Sequence, residues 1–219
     1  MPVRTPHRGR LRRGAGGISP TDAPVDVEVL RDEIRKTYTD VSTDADRDFI
    51  FPTGRAWAEG LGYPQPELSH VPEATVESFA GVANHWPLGR VEPGSVVLDL
   101  GCGTGTDLLI AAQMTGAGGR AIGVDMTSSM VERAWASAQE MGLAHVQLRE
   151  SLIERLPLED ASVDVVISNG VIDLVPDKDA VFDEIDRVLR PGGRLQLADV
   201  VIHTEVSEDA RARIDLWTG

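Results

Sequence analysis

Residues 96–107 read VVLDLGCGTGTD, an apolar run with one acid inside it followed by Gly101, Gly103 and Gly105. Glycine loses more backbone entropy on folding than any other residue, so three so close together mark a sharp turn without side chains. A β-branched run precedes the turn, and a helical pattern opens at Thr106. The unit is therefore strand, tight loop, helix, with bare amides and a helix N-terminus turned toward whatever binds there.

The rest of the chain after Ser95 repeats this alternation. AIGVD, VQLRE, VDVVISN and RLQLADVVIH read as strands; SSMVERAWASAQEM, AVFDEIDRVL and SEDARARIDLW read as helices. Strands alternating with amphipathic helices imply an α/β fold, a doubly wound Rossmann-like parallel sheet covered on both faces. In such sheets ligands sit beyond the carboxyl ends of the strands, where the strand order reverses. The helix at 178–190 places Val181, Phe182, Ile185, Val188 and Leu189 on one stripe and is expected to stop at Pro191-Gly192-Gly193.

Upstream of this 95–219 domain the pattern changes twice. Residues 1–20 carry Arg4, Arg8, Arg10, Arg12 and Arg13 with no acid, and read as a disordered basic tail without a secretory apolar core. Residues 21–94 read as an N-terminal helical arm or lid. Its first helix, capped by Thr21 or Asp22, sets Val27, Leu30, Ile34 and Tyr38 on one face. Beyond it only PEATVESFAG, with Pro72 in its first turn, has a helical look.

Composition excludes several function classes. The net charge of −14 argues against nucleic acid as partner, since phosphate neutralisation needs a basic face. No apolar run reaches the ~20 residues needed to cross a bilayer. The single cysteine, Cys102, rules out a disulfide framework and a cysteine-rich metal site. A cytoplasmic protein is expected, with no membrane partner and no metal.

The loop spacing is G-x-G-x-G, whereas a dinucleotide fingerprint is G-x-G-x-x-G and would need glycine where Thr106 stands. Asp99 precedes the loop on the strand. A pyrophosphate does not call for a carboxylate beside it; a ligand with an ammonium and a sulfonium does. Asp125 closes the next strand, where this fold places an acceptor for ribose hydroxyls. A nicotinamide oxidoreductase and a Rossmann-like domain that binds nothing are the competing interpretations.

Loop and acids together resemble the class I S-adenosylmethionine-dependent methyltransferases. Over residues 38–219 the words GVDMTSSMVERA, ISNGVIDLVPDKDAVFDEIDRVLRPGGRLQLADVV and LGYPQPELSHVPEATVESFAG are similar to arsenite methyltransferases. The resemblance implies S-adenosylmethionine as cofactor and a small-molecule acceptor. It places Asp99, Gly101, Cys102, Gly103 and Gly105 around the methionine part, Asp125 and Met126 at the ribose and adenine, and Ile153 and Glu154 at the adenine edge. Asn169 would line the methyl-transfer face and Tyr38 would help cover the cofactor.

The departures from that family concern the acceptor. Its arsenic-binding cysteines fall at Val82 and at Gly170 in this chain, none lies near FPTGRAW, and the chain ends at LWTG before a further one would come. Trivalent arsenic is a soft acid held by thiolates, so the acceptor site is expected to have changed. A non-catalytic cofactor-binding subunit that needs a partner is the alternative function, and retention of arsenite as substrate a third.

A protic acceptor would need a base. Asp173, where the family's VINL word has asparagine, and His85 are the candidates, with His203 a weaker one. Trp57, Tyr63 and Trp86 are arm aromatics suited to an apolar wall or to packing. The family's sheet closes with a C-terminal hairpin that these five strands lack, so strand 194–203 would form an apolar edge. A truncated product, a homodimer across that edge, or a partner chain would each account for it.

Overall fold

The computed structural model describes residues 26–43, 49, 51–203, 207, 213 and 217. The expected basic tail, the Thr21 or Asp22 cap and most of the last predicted helix lie outside the described residues. Helix α1, Val27–Thr43, is instead capped by Asp26, whose carboxylate accepts the amides of Glu28 and Val29 at 3.0 and 3.3 Å. Leu30 and Ile34 form its buried stripe, as the spacing predicts.

The segment that was expected to hold one helix holds three short ones, α2 (Arg55–Gly60), α3 (Gln65–Leu68) and α4 (Glu73–Val76), and a 3₁₀ turn at Trp86–Leu88. Helices this short carry too little periodicity to show in sequence. Tyr63, Leu68, Val76, Phe79 and Trp86 pack in the same apolar cluster as Leu108, Leu109, Val97 and Ile167. They help build the core against one face of the sheet.

Five strands are present among the described residues: β1 (Val96–Leu100), β2 (Arg120–Asp125), β3 (Val146–Glu150), β4 (Val163–Asn169) and β5 (Leu189–Ala198). They pair in parallel in the order β3-β2-β1-β4-β5. Helices α5 (Thr106–Thr115), α6 (Ser128–Glu140) and α7 (Lys178–Val188) make three of the four crossovers, and β3 runs to β4 without a helix. The chain winds outward from β1 through β2 and β3, then returns to lay β4 on the other side of β1. That reversal opens a crevice at the carboxyl ends of β1 and β4. Val97 and Leu98 face opposite clusters, so the first strand is buried on both sides, which is why it reads as an unbroken apolar run.

Three features at the C-terminal side differ from the sequence expectation. Helix α7 ends at Val188, and Pro191-Gly192-Gly193 lies within β5, where the ladder to β4 is interrupted by a register shift between Val163 and Val165. The residue before proline is driven to extended backbone, so Arg190 leaves the helix early and the extra residues bulge out. Phe182 is exposed rather than part of the buried stripe. The last strand stops at Ala198, not His203: Val200, Val201 and Ile202 are 53%, 69% and 68% exposed.

Candidate cofactor-binding site

At the end of β1 the three loop glycines take φ of +64°, +52° and +99°, a region that L side chains rarely adopt. A Cβ at Gly101 would also stand 2.5 Å from the methyls of Val171, and one at Gly105 would stand 3.2 Å from Ala134. At Gly103 it would meet nothing closer than the Met130 sulfur at 4.0 Å. Backbone conformation requires glycine at all three positions, packing reinforces it at two, and the middle one leaves open space beside the crevice.

Asp125 holds this loop in place. One carboxylate oxygen accepts the Gly103 amide and the other the Thr127 amide, both at 2.9 Å. Burial pushes the Asp125 carboxyl up, and these amides pull it back toward the charged form. The Thr127 side chain and the Met126 amide also donate to this carboxylate.

Asp99 is 3% exposed, and its Oδ2 has no hydrogen-bond partner. Burial first, then the neighbouring Asp107 and Asp125 carboxylates, raise its pKa well above the usual range, against a stabilising hydrogen bond from the Leu108 amide. A buried, partnerless carboxylate oxygen between two more acids is unfavourable until a cation meets it. The donor set therefore fits a ligand that brings positive charge to the loop.

The opposite wall is tied down by a buried polar network. Asp107, in the first turn of α5, accepts the Tyr63 hydroxyl at 3.0 Å and the Trp86 indole N–H at 3.1 Å. Asn169, at the end of β4, donates to the Tyr63 hydroxyl at 2.7 Å and to the Ala83 carbonyl at 2.9 Å, and accepts the Val82 amide at 2.8 Å. The network fastens the 51–91 segment across the switch point. Helix α1 closes another side: Leu30 and Ile34 pack with Tyr38, Met126 and Leu174, and Arg31 reaches Glu154 at 3.0 Å. The Tyr38 phenol is held protonated by burial and by the charges of Asp173, Asp125 and Asp199.

One cavity runs between these walls. Every predicted cofactor residue except Gly105 lines it: Tyr38, Asp99, Gly101, Cys102, Gly103, Asp125, Met126, Ile153, Glu154 and Asn169. Gly105 instead starts α5 against Ala134. The Cys102 thiol is pushed well up by burial and by Asp125 and Asp99, so it stays neutral. The two candidate bases are not among the lining residues. His85 is 1% exposed in the core, against Trp86 and 3.3 Å from Asp107, with both ring nitrogens outside hydrogen-bond geometry. Asp173 sits in the 3₁₀ turn Ile172–Leu174, between lining residues Val171 and Leu174. His203 is exposed beyond β5.

Trp57, Tyr63 and Trp86 do not line the cavity either. Trp57 donates its indole N–H to the Gly81 carbonyl at 2.7 Å, so all three anchor the segment through polar tips. Sequence inspection passed over Asp107, whose one local signal is an acid placed directly after the glycine loop. It also passed over Arg31 and Asp199, which carry no motif.

A parallel sheet in this order, with a G-x-G-x-G loop after β1, an acid on β1 and another closing β2, defines the S-adenosylmethionine-dependent class I methyltransferase architecture. The comparisons agree. Residues 91–217 match the sequence model of the methyltransferase domain family, and the chain belongs to that family. It is 40% identical to the arsenite methyltransferase of Halobacterium salinarum over 167 residues, which make up 76% of this chain and 42% of that protein. It is 34% identical to the arsenite methyltransferase of Rattus norvegicus, with 89% of this chain and 54% of that protein covered. The chain thus spans about half the length of these curated relatives. Among solved structures, the arsenic(III) S-adenosylmethionine methyltransferase of Chlamydomonas reinhardtii superposes with a TM-score of 0.61 at 37% identity, over 66% of this chain and 51% of that one. A methyltransferase from Aquifex aeolicus, at 23% identity and a TM-score of 0.50, shares the fold.

Proposed function

We propose that this chain binds S-adenosylmethionine and transfers its methyl group to a small-molecule acceptor other than trivalent arsenic. The observation that carries the first half is the buried, unpartnered Asp99 oxygen beside the glycine loop. Asp99, Gly101, Cys102 and Gly103 would hold the methionine part, Asp125 and Met126 the ribose and adenine, and Ile153 and Glu154 the adenine edge. Gly105 would set the helix N-terminus behind them, Asn169 would line the transfer face and Tyr38 would cover it. When bound, the cofactor supplies a methyl carbon already activated by sulfonium. The protein's own task is to orient the acceptor and exclude water, which α1 and the fastened 51–91 segment are placed to do.

Titration calorimetry tests this. S-adenosylhomocysteine should bind and NAD should not; the reverse result would refute the assignment. Asp125→Ala should weaken binding by ~1–3 kcal/mol, because a charged acceptor is lost and the Gly103 amide is released with it. Unchanged affinity in that variant would remove Asp125 from the site.

We further propose self-association in the cytoplasm through the β5 edge. That strand ends the sheet order, and three exposed apolar residues follow it. Burying an apolar side chain of this size gains ~1.5–3 kcal/mol, and among the described residues β5 is an edge strand of the sheet. Light scattering should show mass rising with concentration, and Val201→Asp should lower it. A monomer at every concentration would exclude this association.

A further inference from the structure

The sheet order divides the cavity in two. The ends of β3, β2 and β1 carry the residues assigned above to the adenine, ribose and methionine, so the part beyond β4 is left for the acceptor. Three segments enclose that part. Gly81 stands against the Asn169 side chain, and Ile34 of α1 packs in one cluster with Leu174 from the turn after β4. The walls they supply are apolar: Ile34, Phe79, Val171, Leu174, Val175 and Pro176.

The polar side chains in these walls already have partners. The Asn169 amide donates to the Tyr63 hydroxyl and the Ala83 carbonyl and accepts the Val82 amide. The Ser78 hydroxyl donates to the Val41 carbonyl at 3.0 Å. The cavity's acids are engaged as well. Asp107 accepts Tyr63 and Trp86, Asp125 accepts the Gly103 and Thr127 amides, and Glu154 is paired with Arg31. Asp99 is assigned to the positively charged methionine part. His85 and Asp173 are not lining residues.

Two acceptor classes fit this end badly. An alcohol or an ammonium must shed a proton as the methyl arrives, and no lining carboxylate is free to take it. An anion would enter a cavity lined by Asp99, Asp107, Asp125 and Glu154, with Arg31 the only lysine or arginine among the described lining residues. A neutral nitrogen lone pair would give up a strong hydrogen bond to water and find no donor in the apolar wall. A thioether sulfur is a weak acceptor, so leaving water costs it little.

We infer that the acceptor is a neutral, apolar thioether, methylated on sulfur with no proton to remove. This deepens the methyl-transfer proposal and rests on it. The acceptor's sulfur lone pair forms the new bond to the methyl carbon. The carbon–sulfur bond to the cofactor breaks, and its electron pair stays on the cofactor's sulfur. One positive charge passes to the product, nothing is oxidised and no proton moves. The product is a sulfonium, like the donor, so the acids that suit one charge suit the other. The rings of Tyr38 and Phe79 line the same cavity and can face that cation.

The full chain can be tested with benzyl methyl sulfide, benzyl alcohol, benzylamine and phenylacetate, probes of similar size. Without cofactor, saturation-transfer NMR should show contact to the sulfide and none to phenylacetate. Val175→Thr, which keeps the shape of the wall and adds a hydroxyl, should weaken that contact several-fold. With S-adenosylmethionine, mass spectrometry should detect benzyldimethylsulfonium and no methyl ether, methylamine or methyl ester. In Val175→Thr the KM for the sulfide should rise several-fold; an unchanged KM would remove this wall from the acceptor site. Equal contact to phenylacetate, or methylation of another probe in preference to the sulfide, would overturn the inference. So would absence of product from a chain that binds S-adenosylhomocysteine by calorimetry. Failure to bind S-adenosylhomocysteine at all would instead overturn the cofactor assignment on which the inference rests.

Discussion

Asp107→Ala should be the most destabilising single change in this domain, costing ~3–5 kcal/mol. Its carboxylate takes the Tyr63 hydroxyl and the Trp86 indole N–H, and it lies 3.3 Å from the Asn169 amide. All these groups are buried or nearly so. Each donor left unpaired in the core costs about 1–3 kcal/mol. Some of this is returned, because removing Asp107 relieves its repulsion of Asp99. The net loss is a large fraction of the ~5–15 kcal/mol that holds a typical domain together. Thermal unfolding followed by circular dichroism should show Tm lowered by ~10 °C, with Trp86 fluorescence shifted toward that of exposed indole. Asp107→Asn keeps an acceptor oxygen and should lose clearly less. If alanine and asparagine were equally mild, the network would not be what fastens residues 51–91 to the site.

The second large effect concerns arsenite. Given arsenite, S-adenosylmethionine and excess glutathione, this chain should yield no methylated arsenic above a control without enzyme, measured by mass spectrometry. Trivalent arsenic needs several soft thiolate ligands, and the one cysteine in the sequence is a buried neutral thiol in the cofactor loop. The structure brings together the two positions where the family resemblance implies cysteines: a Cβ at Gly170 would stand 3.0 Å from a Val82 methyl. At those two positions stand an isopropyl group and bare backbone, neither of which can ligate arsenic.

Restoring the thiols by Val82→Cys with Gly170→Cys should not restore activity. Gly170 has φ of +68°, and its amide is pinned to the Ala198 carbonyl at 2.9 Å. A side chain there costs ~1–2 kcal/mol in backbone strain and cannot relax without breaking that bond. Methylated arsenic from the parent chain would overturn the acceptor proposal. Turnover by the double variant alone would show that the strain is tolerated.

Much of this protein is decided locally, and those parts are legible in its sequence. The alternation of β-branched runs with helical stripes yields the parallel sheet, because strands buried on both faces must be apolar throughout. The glycines at 101, 103 and 105 declare left-handed backbone, and Asp99 and Asp125 stand at strand positions that the fold turns toward its crevice. Those are consequences of periods of two and 3.6 residues and of conformations open to glycine alone.

Tertiary structure decided what depends on partners far away in the chain. Asp107 is an ordinary first-turn acid until Tyr63, from the loop between α2 and α3, and Trp86, from the 3₁₀ turn, arrive. Phe182 continues an apolar stripe by spacing yet is left in solvent, because burial is set by what packs on a helix and not by the helix itself. Pro191-Gly192-Gly193 looks like a terminator between elements, but pairing of both its flanks with β4 makes it a bulge inside one strand. Asp173 and Asp199 lie 26 residues apart and carry no motif. Only the sheet, by bringing the ends of β4 and β5 side by side, lets the Asp199 carboxylate accept the amides of Ile172 and Asp173.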